Sequence, residues 1–498
     1  MERVAAAIAL YSKVSSGLEI YLVHRAEDLR FFGGYFAMPG GVRSEWDGPD
    51  DPELGDGPAL RACAIRELFE ETGVLLDSGM RALPEERRCE LRRTLLDRDD
   101  AVSSQAWRDL QRVSSGDADL REICRIKTPA FAPVRYDTVF FLAELPAGEV
   151  PEVWPGELTG GQFQTPKLFL DDWTKGDRLI VPPVLVLLQH LVDGDLDRFL
   201  VDAAAMADGF RRGKLHRVWF SPGILMASLT TPTLPPATTT NCFLVGEDRL
   251  FIIDPGAPKP SDQAPLFELL DELVAGGTTL EAVVCTHHHP DHVGAVNAVS
   301  QRYKLPVHGH EITLDRLEPG FHRGRTLADG DRIDLGTAPD GSPDWYLEAI
   351  FTPGHDRGHL TFLDSRYRAL IAGDMISTVA TIMIDPPEGH LDTYMASLRR
   401  LRDLPMTTLY PSHGPATPNG RRIVEKFIKH REMRQSTLER VLREGPGTVE
   451  ALLPAVYWDV EESMYPYAAR SLCAGLEKLE EEGRATEEAG VWRAIAAD

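Results

Sequence analysis

Only six cysteines occur in 498 residues: Cys63, Cys89, Cys124, Cys242, Cys285 and Cys473. They are scattered, with no CxxC pair and no dense framework, which excludes a fold built on disulfides. They read as reduced thiols of a cytoplasmic protein. Long apolar runs are also missing. The opening MERVAAAIALYSK is too short for a signal-peptide core and no small-residue cleavage pattern follows it. The run LIVPPVLVLLQHLV from Leu179 is broken by Pro182 and Pro183 and falls short of the ~20 residues that span a bilayer, so no membrane partner is expected. Basic residues are scarce. Lys and Arg number 53 against 77 Asp and Glu, a formal charge of −24, which keeps the surface soluble and repels polyanions. Extended duplex binding is therefore disfavoured, although a local basic groove remains open. No internal repeat or low-complexity tract occurs. With 43% apolar and 26% charged residues, the chain has the composition of a globular protein and the length of two or three domains.

Three segments follow from periodicity. The first holds strand-like runs VAAAIALY and EIYLVHR, a turn GGYFAMPGG, a helix-like ALRACAIRELFEETG and a strand YDTVFFLAEL. Between turn and helix, RSEWDGPDDPELGDGP reads as a surface loop. The LIVPP helix closes the segment near residue 205, and DGFRRGKLH reads as a charged linker. The second alternates strands (NCFLVG, RLFIIDPG, LEAVVCTH, WYLEAIFTPGH, RALIAGD, TTLYPSHG) with helices such as PLFELLDELVAGG, an α/β layered pattern. The third turns helical and ends in the short pair RATEE and VWRAI, three helices and a two-stranded wing.

After the strand EAVVC comes THHHPDHVG, with ligand-type side chains at His287, His289, Asp291 and His292. Alternate residues of extended chain point the same way, so His287 and His289 can converge on one metal. Asp291 and His292, past the proline, can face a second. His355, Asp374 and His413 then fall where later strands leave for loops, the usual place for site residues. This order resembles the metallo-β-lactamase superfamily, whose signature is HxHxDH followed by separated His, Asp and His. The resemblance implies that His287, His289 and His355 hold one metal, that Asp291, His292 and His413 hold the other, and that Asp374 bridges them. Two zinc ions are expected; such a pair lowers the pKa of bridging water and polarises the bond under attack. Asp291 is a candidate base. His359 is a candidate for contacting substrate, with a solvated loop histidine as the alternative. His288 is read as a non-ligand. His308 and His310 form a second HxH, but the signature is complete without them.

The third segment is similar to the C-terminal winged helix of mitochondrial β-lactamase-like endoribonucleases, which implies single-stranded RNA as a substrate. Residues 431–498 nevertheless carry a net charge of about −6, a poor footprint for nucleic acid. Packing or dimerisation is the expected role, with a homo-oligomer possible.

In the first segment Glu67, Glu70 and Glu71 lie at i, i+3 and i+4, one helix face. Like charges so placed repel unless a cation sits between them, and Mg²⁺ or Mn²⁺ takes carboxylate oxygens together with substrate phosphate. A solvated acidic face is the plainer alternative. RELFEETGV, with PGG upstream, resembles the second half of the Nudix box, and Arg66 then joins the candidate catalytic residues. The long insertion after Gly41 removes the usual spacing and the first glutamate of the box. The segment is similar to the peroxisomal coenzyme A diphosphatase branch of Nudix hydrolases. Arg25-Ala26, Arg30, Gly34 and Met38-Pro39-Gly40-Gly41 match its coenzyme A signature. Arg25, Arg30, Gly40 and Gly41 are thus candidate substrate contacts, and Glu157 a further carboxylate acting as base or ligand.

Together these readings predict a multidomain α/β chain: a Nudix α/β/α sandwich over 1–205, a metallo-β-lactamase αββα sandwich over 215–430 and a winged helix over 431–498. The expected function is a bifunctional hydrolase. One site cleaves a nucleoside-diphosphate derivative such as coenzyme A, and the other cleaves a thioester or ester, as in glyoxalase II-like relatives. RNA cleavage at the second site and a non-catalytic, ligand-binding first segment are the alternatives.

Overall fold

A computed structural model of the protein describes residues 2–15, 17–29 and 32–495. The chain divides into two compact units between Pro222 and Gly223. All six cysteines are free thiols. Among the described residues no helix is long and apolar enough to cross a membrane.

The first unit is a mixed sheet with helices on both faces. Its centre is the long strand Glu2–Val14, which turns back into Gly17–Arg25 and lies parallel to Arg135–Glu144. The alternation of side chains along these strands sorts two cores. Ala6, Ile8, Leu10, Tyr21 and Val23 face the helix Gly57–Thr72 through Leu60, Cys63, Ala64 and Leu68. Ala7, Ala9, Tyr11, Ile20 and Leu22 pack with Phe169, Leu185 and Phe199 of the helices Pro166–Lys175, Pro182–His190 and Leu196–Arg211. Strands buried on both faces need apolar residues at nearly every position, which explains the unbroken run VAAAIALY. The stretch read as a charged linker begins inside the helix Leu196–Arg211: its Phe210 and Gly209 continue a helical pattern that the flanking arginines obscured.

The helix Gly57–Thr72 carries the three glutamates. Pro58 starts it, and Gly73 ends it in the left-handed region at φ 74°, its N–H bonded to Phe69 O at 2.8 Å. Arg92, from the neighbouring helix Glu85–Leu95, is almost wholly buried and caps the same end. It donates to the carbonyls of Glu70 at 3.1 Å, Glu71 at 2.9 Å and Glu152 at 2.8 Å, and lies over the Trp154 ring. A cation at a helix C-terminus complements its dipole.

The second unit stacks two sheets. One runs in the order His322–Thr326, Pro306–Gly309, Thr279–Val284, Arg249–Ile253, Thr239–Gly246, Ile224–Thr230. The other runs Arg332–Gly336, Trp345–Phe351, Leu360–Asp364, Ala369–Ile371, Thr408–Tyr410. Phe243 of the first sheet meets Tyr410 of the second edge to face, with ring centroids 5.8 Å apart. The helix Pro260–Ala275 accompanies the first sheet, and Leu391–Arg402 packs on the second, where Tyr394 and Leu398 share a core with Leu370 and Leu409. The long helix Gly420–Glu444 leads into Val449–Val456 and Tyr465–Glu481, closed by the hairpin Ala485–Glu488 with Val491–Ala494.

Removing the Arg92 cap leaves buried carbonyls without donors. Arg92→Ala is expected to destabilise the first unit by about 2–4 kcal/mol, measured by urea unfolding; a loss below about 0.5 kcal/mol would contradict the capping role.

Candidate metal centre

Four strand ends of the second unit deliver the ligand-type side chains: His287 after Thr279–Val284, His355 after Trp345–Phe351, Asp374 after Ala369–Ile371 and His413 after Thr408–Tyr410. Pro290 then starts a one-turn helix, Pro290–Val293, that carries Asp291 and His292. The result is two groups of converging donors, His287, His289, His355 and Asp374 in one and Asp291, His292 and His413 in the other. In the first, Nδ1 of His289 is 3.0 Å from Nε2 of both His287 and His355. In the second, Nε2 of His292 and of His413 lie 3.8 and 3.6 Å from Oδ2 of Asp291.

Asp374 stands between the groups. Its Oδ2 is 3.5 Å from Nε2 of His355, and its Oδ1 is 3.3 Å from Nε2 of both His292 and His413. The donor chemistry fits metal ions. One ring nitrogen cannot share a proton with two others at once, so the His289 contacts bring lone pairs together. Nε2 of His292 and Oδ1 of Asp374 are buried and, although 3.3 Å apart, make no well-aligned hydrogen bond, a state that costs free energy unless a cation satisfies it. Burial would push the His292 imidazole down, but Asp374, Asp291 and Asp254 hold it well above its usual range. Burial raises the Asp374 carboxyl, and His413 and His292 more than reverse that.

Four of the five ligand-type histidines are oriented from behind. His287 Nδ1 meets Thr286 Oγ1 at 3.0 Å, His355 Nδ1 meets Met383 O at 2.9 Å and His413 Nδ1 meets Thr239 O at 3.1 Å. His292 Nδ1 meets Asp254 Oδ2 at 2.8 Å. Asp254 is fully buried and also accepts from the backbone and hydroxyl of Thr286 at 2.8 and 2.6 Å. Such partners set the tautomer and aim of a metal-binding imidazole. Sequence reasoning passed over Asp254, whose only signal is its place at a strand end in RLFIIDPG. Thr240, whose hydroxyl donates to Asp291 Oδ2 at 3.2 Å, left no signal.

His359 is not placed to meet substrate. It is fully buried, its Nδ1 is 3.0 Å from Thr352 Oγ1, and its Nε2 accepts from the backbone N–H of Asp374 at 3.0 Å. Burial lowers its pKa to about 3, and the neutral ring acts on Asp374 through the backbone. His288 pairs with buried Asp356 at 2.6 Å, and with His289 these form a third converging group. His308 accepts from Arg325 N–H, while His310 caps the helix Glu311–Arg316 and stacks on Phe351.

In the first unit Glu67, Glu70 and Glu71 share a half-buried helix face. Burial raises all three carboxyls: Glu67, Glu70 to about 7 with Glu67 adding to it, and Glu71 well above its usual range. Gly40 N–H donates to Glu71 Oε2 at 3.0 Å. A methyl on Gly41 would stand 2.4 Å from the Glu67 carboxylate, so the glycine permits close approach of the backbone. Arg25 lies near enough to Glu71 for its charge to oppose the rise, and exposed Glu157 adds to the rise at Glu67. Arg30 lies outside the described residues. The three carboxylates do not form a closed set of donors among the described residues, because Arg66 reaches Glu67 at 2.8 Å and Glu70 at 3.1 Å.

Arg66 is itself buried and doubly bonded to Asp47, at 2.7 and 2.9 Å. The insertion expected to be a surface loop therefore sends one residue inside. Asp47 is buried at the end of a short turn, Glu45–Asp47. Arg66 acts by positioning the glutamates rather than by facing solvent.

Residues 235–413 match the Metallo-beta-lactamase superfamily, and residues 448–492 match the Beta-lactamase associated winged helix domain. The chain is similar to the Beta-lactamase-like protein 2 homolog of Caenorhabditis elegans, 30% identical over 210 residues, 41% of this chain and 66% of that one. It is also similar to a hydroxyacylglutathione hydrolase of Ruegeria pomeroyi, 30% identical over 250 residues, 50% of this chain and 89% of that one. A NUDIX hydrolase structure from Alicyclobacillus acidocaldarius is 28% identical, with a TM-score of 0.34, covering 39% of this chain and 92% of that one. The chain belongs to the metallo-β-lactamase superfamily and is a hydrolase with a winged-helix domain at its C-terminal side.

Breaking a buried ion pair from one side strands the other charge. Asp47→Ala is expected to cost about 3–5 kcal/mol in the first unit, read by denaturant unfolding; a change under about 1 kcal/mol would mean that Arg66 is adequately held by Glu67 and Glu70 alone.

Proposed function

We propose that the chain is a bifunctional metal-dependent hydrolase. In the second unit His287, His289 and His355 hold one zinc ion, Asp291, His292 and His413 hold another, and Asp374 lies between them. The observation that carries this reading is the division of the Asp374 oxygens, Oδ2 toward His355 and Oδ1 toward His292 and His413. Ions held there would acidify water and polarise the bond under attack. Asp291, with 15% of its side chain exposed beside fully buried His292, is the carboxylate best placed to move a proton between site and solvent. Thr240 holds its Oδ2.

The substrate class we favour is a small thioester or ester. The net charge of −24 disfavours a polyanion, and the Ruegeria pomeroyi relative is a hydroxyacylglutathione hydrolase. The winged-helix match favours the second reading, an endoribonuclease acting on single-stranded RNA. Elemental analysis is expected to find two ions per chain, with Asp374→Ala losing at least one. Thioester turnover is expected to fall at least about 100-fold in Asp291→Asn. Cleavage of single-stranded RNA that Asp291→Asn abolishes, without thioester turnover in the wild type, would decide for the endoribonuclease.

The first unit is proposed as a Nudix-type diphosphatase that uses Mg²⁺ or Mn²⁺ on a nucleoside-diphosphate derivative, with coenzyme A favoured. Three half-buried carboxylates with raised pKa values form a site that a divalent cation and a substrate phosphate would relieve. Arg25 and Arg30 are the proposed phosphate contacts. The engagement of Glu67 and Glu70 by Arg66 favours the other reading, a ligand-binding module. With coenzyme A and Mn²⁺, cleavage to 3′,5′-ADP and phosphopantetheine is expected, and at least about 100-fold slower in Glu70→Gln. Binding without turnover across a nucleotide panel would favour the module.

A further inference from the structure

Residues 381–390 have no regular secondary structure, yet they carry the Met383 carbonyl that faces Nδ1 of His355. A carbonyl only accepts, so this contact places the His355 proton on Nδ1 and leaves the Nε2 lone pair toward Asp374 and His289. No strand ladder or helix holds that carbonyl. What holds it comes from the C-terminal helices. The hydroxyl of Ser471, on Tyr465–Glu481, accepts from the Ile384 N–H at 3.3 Å. On the other side of Met383, the Arg431 guanidinium, from Gly420–Glu444, donates to the Ile382 carbonyl.

Arg431 also lies 5.4 Å from the centre of the Tyr394 ring, and the Tyr394 hydroxyl donates to the carbonyl of Met375, next to Asp374, at 2.8 Å. Ile382 and Ile384 share an apolar cluster with Ala474 of the C-terminal helix. Further contacts extend the attachment: Arg470 pairs with Asp385 at 2.7 Å, Lys478 pairs with Asp392, and His390 Nε2 lies 2.9 Å from Glu481 Oε2. The face that the Tyr465–Glu481 helix turns to this loop is therefore taken up by the catalytic unit's own chain.

We infer that the C-terminal helices brace the metal centre: Ser471 and Arg431 are positioning residues that fix residues 382–384, so that Met383 sets the tautomer and aim of His355. This rests on the ligand reading proposed above. It assigns the winged helix a task inside the hydrolase that needs no nucleic acid.

The test uses the full chain, stripped of metal and titrated with Co²⁺ against a competing chelator, with stoichiometry and the visible cobalt spectrum as readouts. The wild type should take up two ions. In Ser471→Ala and in Arg431→Met, one ion should bind about 10–100-fold more weakly with a changed spectrum, while the other keeps its affinity. Arg431→Lys, which can still donate to the Ile382 carbonyl, should recover part of the loss. Trp458→Ala, at a 70% exposed position of the same module, should match the wild type. Unfolding of the metal-free proteins separates a local effect from a global one. Two ions bound with wild-type affinity in both variants would overturn the brace. Equal weakening of both ions, in step with lost stability, would overturn it too. A wild type that fails to bind two Co²⁺ ions would instead sink the ligand reading itself.

Discussion

The carboxylate of Asp374 is buried between two sets of imidazoles, and much of the second unit is arranged around keeping it there. A lone carboxylate in such a place would take up a proton or pull in water. Here His292 and His413 face one oxygen and His355 the other, while the backbone N–H of Asp374 is tied to His359 and the carbonyl of the next residue to Tyr394. Each of those side chains sits on a different strand end or helix. The two stacked sheets are the scaffold that brings these ends together, and their apolar interior supplies the low dielectric that strengthens every charge at the centre.

The first unit handles buried charge differently. There three half-buried glutamates on one helix face repel one another, and the Arg66 guanidinium pairs with two of them, Glu67 and Glu70. Arg66 in turn is held by Asp47, and Arg92 holds the end of the same helix. The two sites thus share a principle: donors are kept in place by a second ring of hydrogen bonds drawn from elements far away in the chain. They differ in what balances the charge. In the second unit, imidazoles and carboxylates are interleaved. In the first, one arginine pairs with Glu67 and Glu70, and Glu71 accepts from the Gly40 N–H.

The C-terminal helices belong to the same logic. Their acidic composition is awkward for a nucleic-acid surface but suits a helix whose charges are used on neighbouring chain, as with Glu481 and His390 or Arg470 and Asp385. An irregular loop cannot hold a carbonyl still by itself, so the loop that faces His355 takes its rigidity from the helices that follow it.

Local spacing made part of this legible in the sequence. HHHPDH places two imidazoles on one side of an extended run and an acid–imidazole pair beyond a proline, and RELFEET stacks three carboxylates on one helix face; both depend only on backbone period. The strands of the first unit were equally plain, because burial on both faces demands continuous apolar residues. Other features left no local trace. Asp254, Met383 and Ser471 act through contacts with residues 38, 28 and 87 positions away, and a loop tripeptide looks the same whether or not a distant helix grips it. Asp47 sits in a polar insertion that composition alone marks as surface, and only the approach of Arg66 turns it inward. His359 lies in the same loop as His355, and sequence distance cannot say which of two histidines faces the other donors and which lies behind Asp374. Local spacing sets which donor types lie within reach of one another along the chain. Tertiary structure decided which of them meet and which stand behind the others, because both are set by the packing of sheets and helices whose contacts span the whole length of each unit.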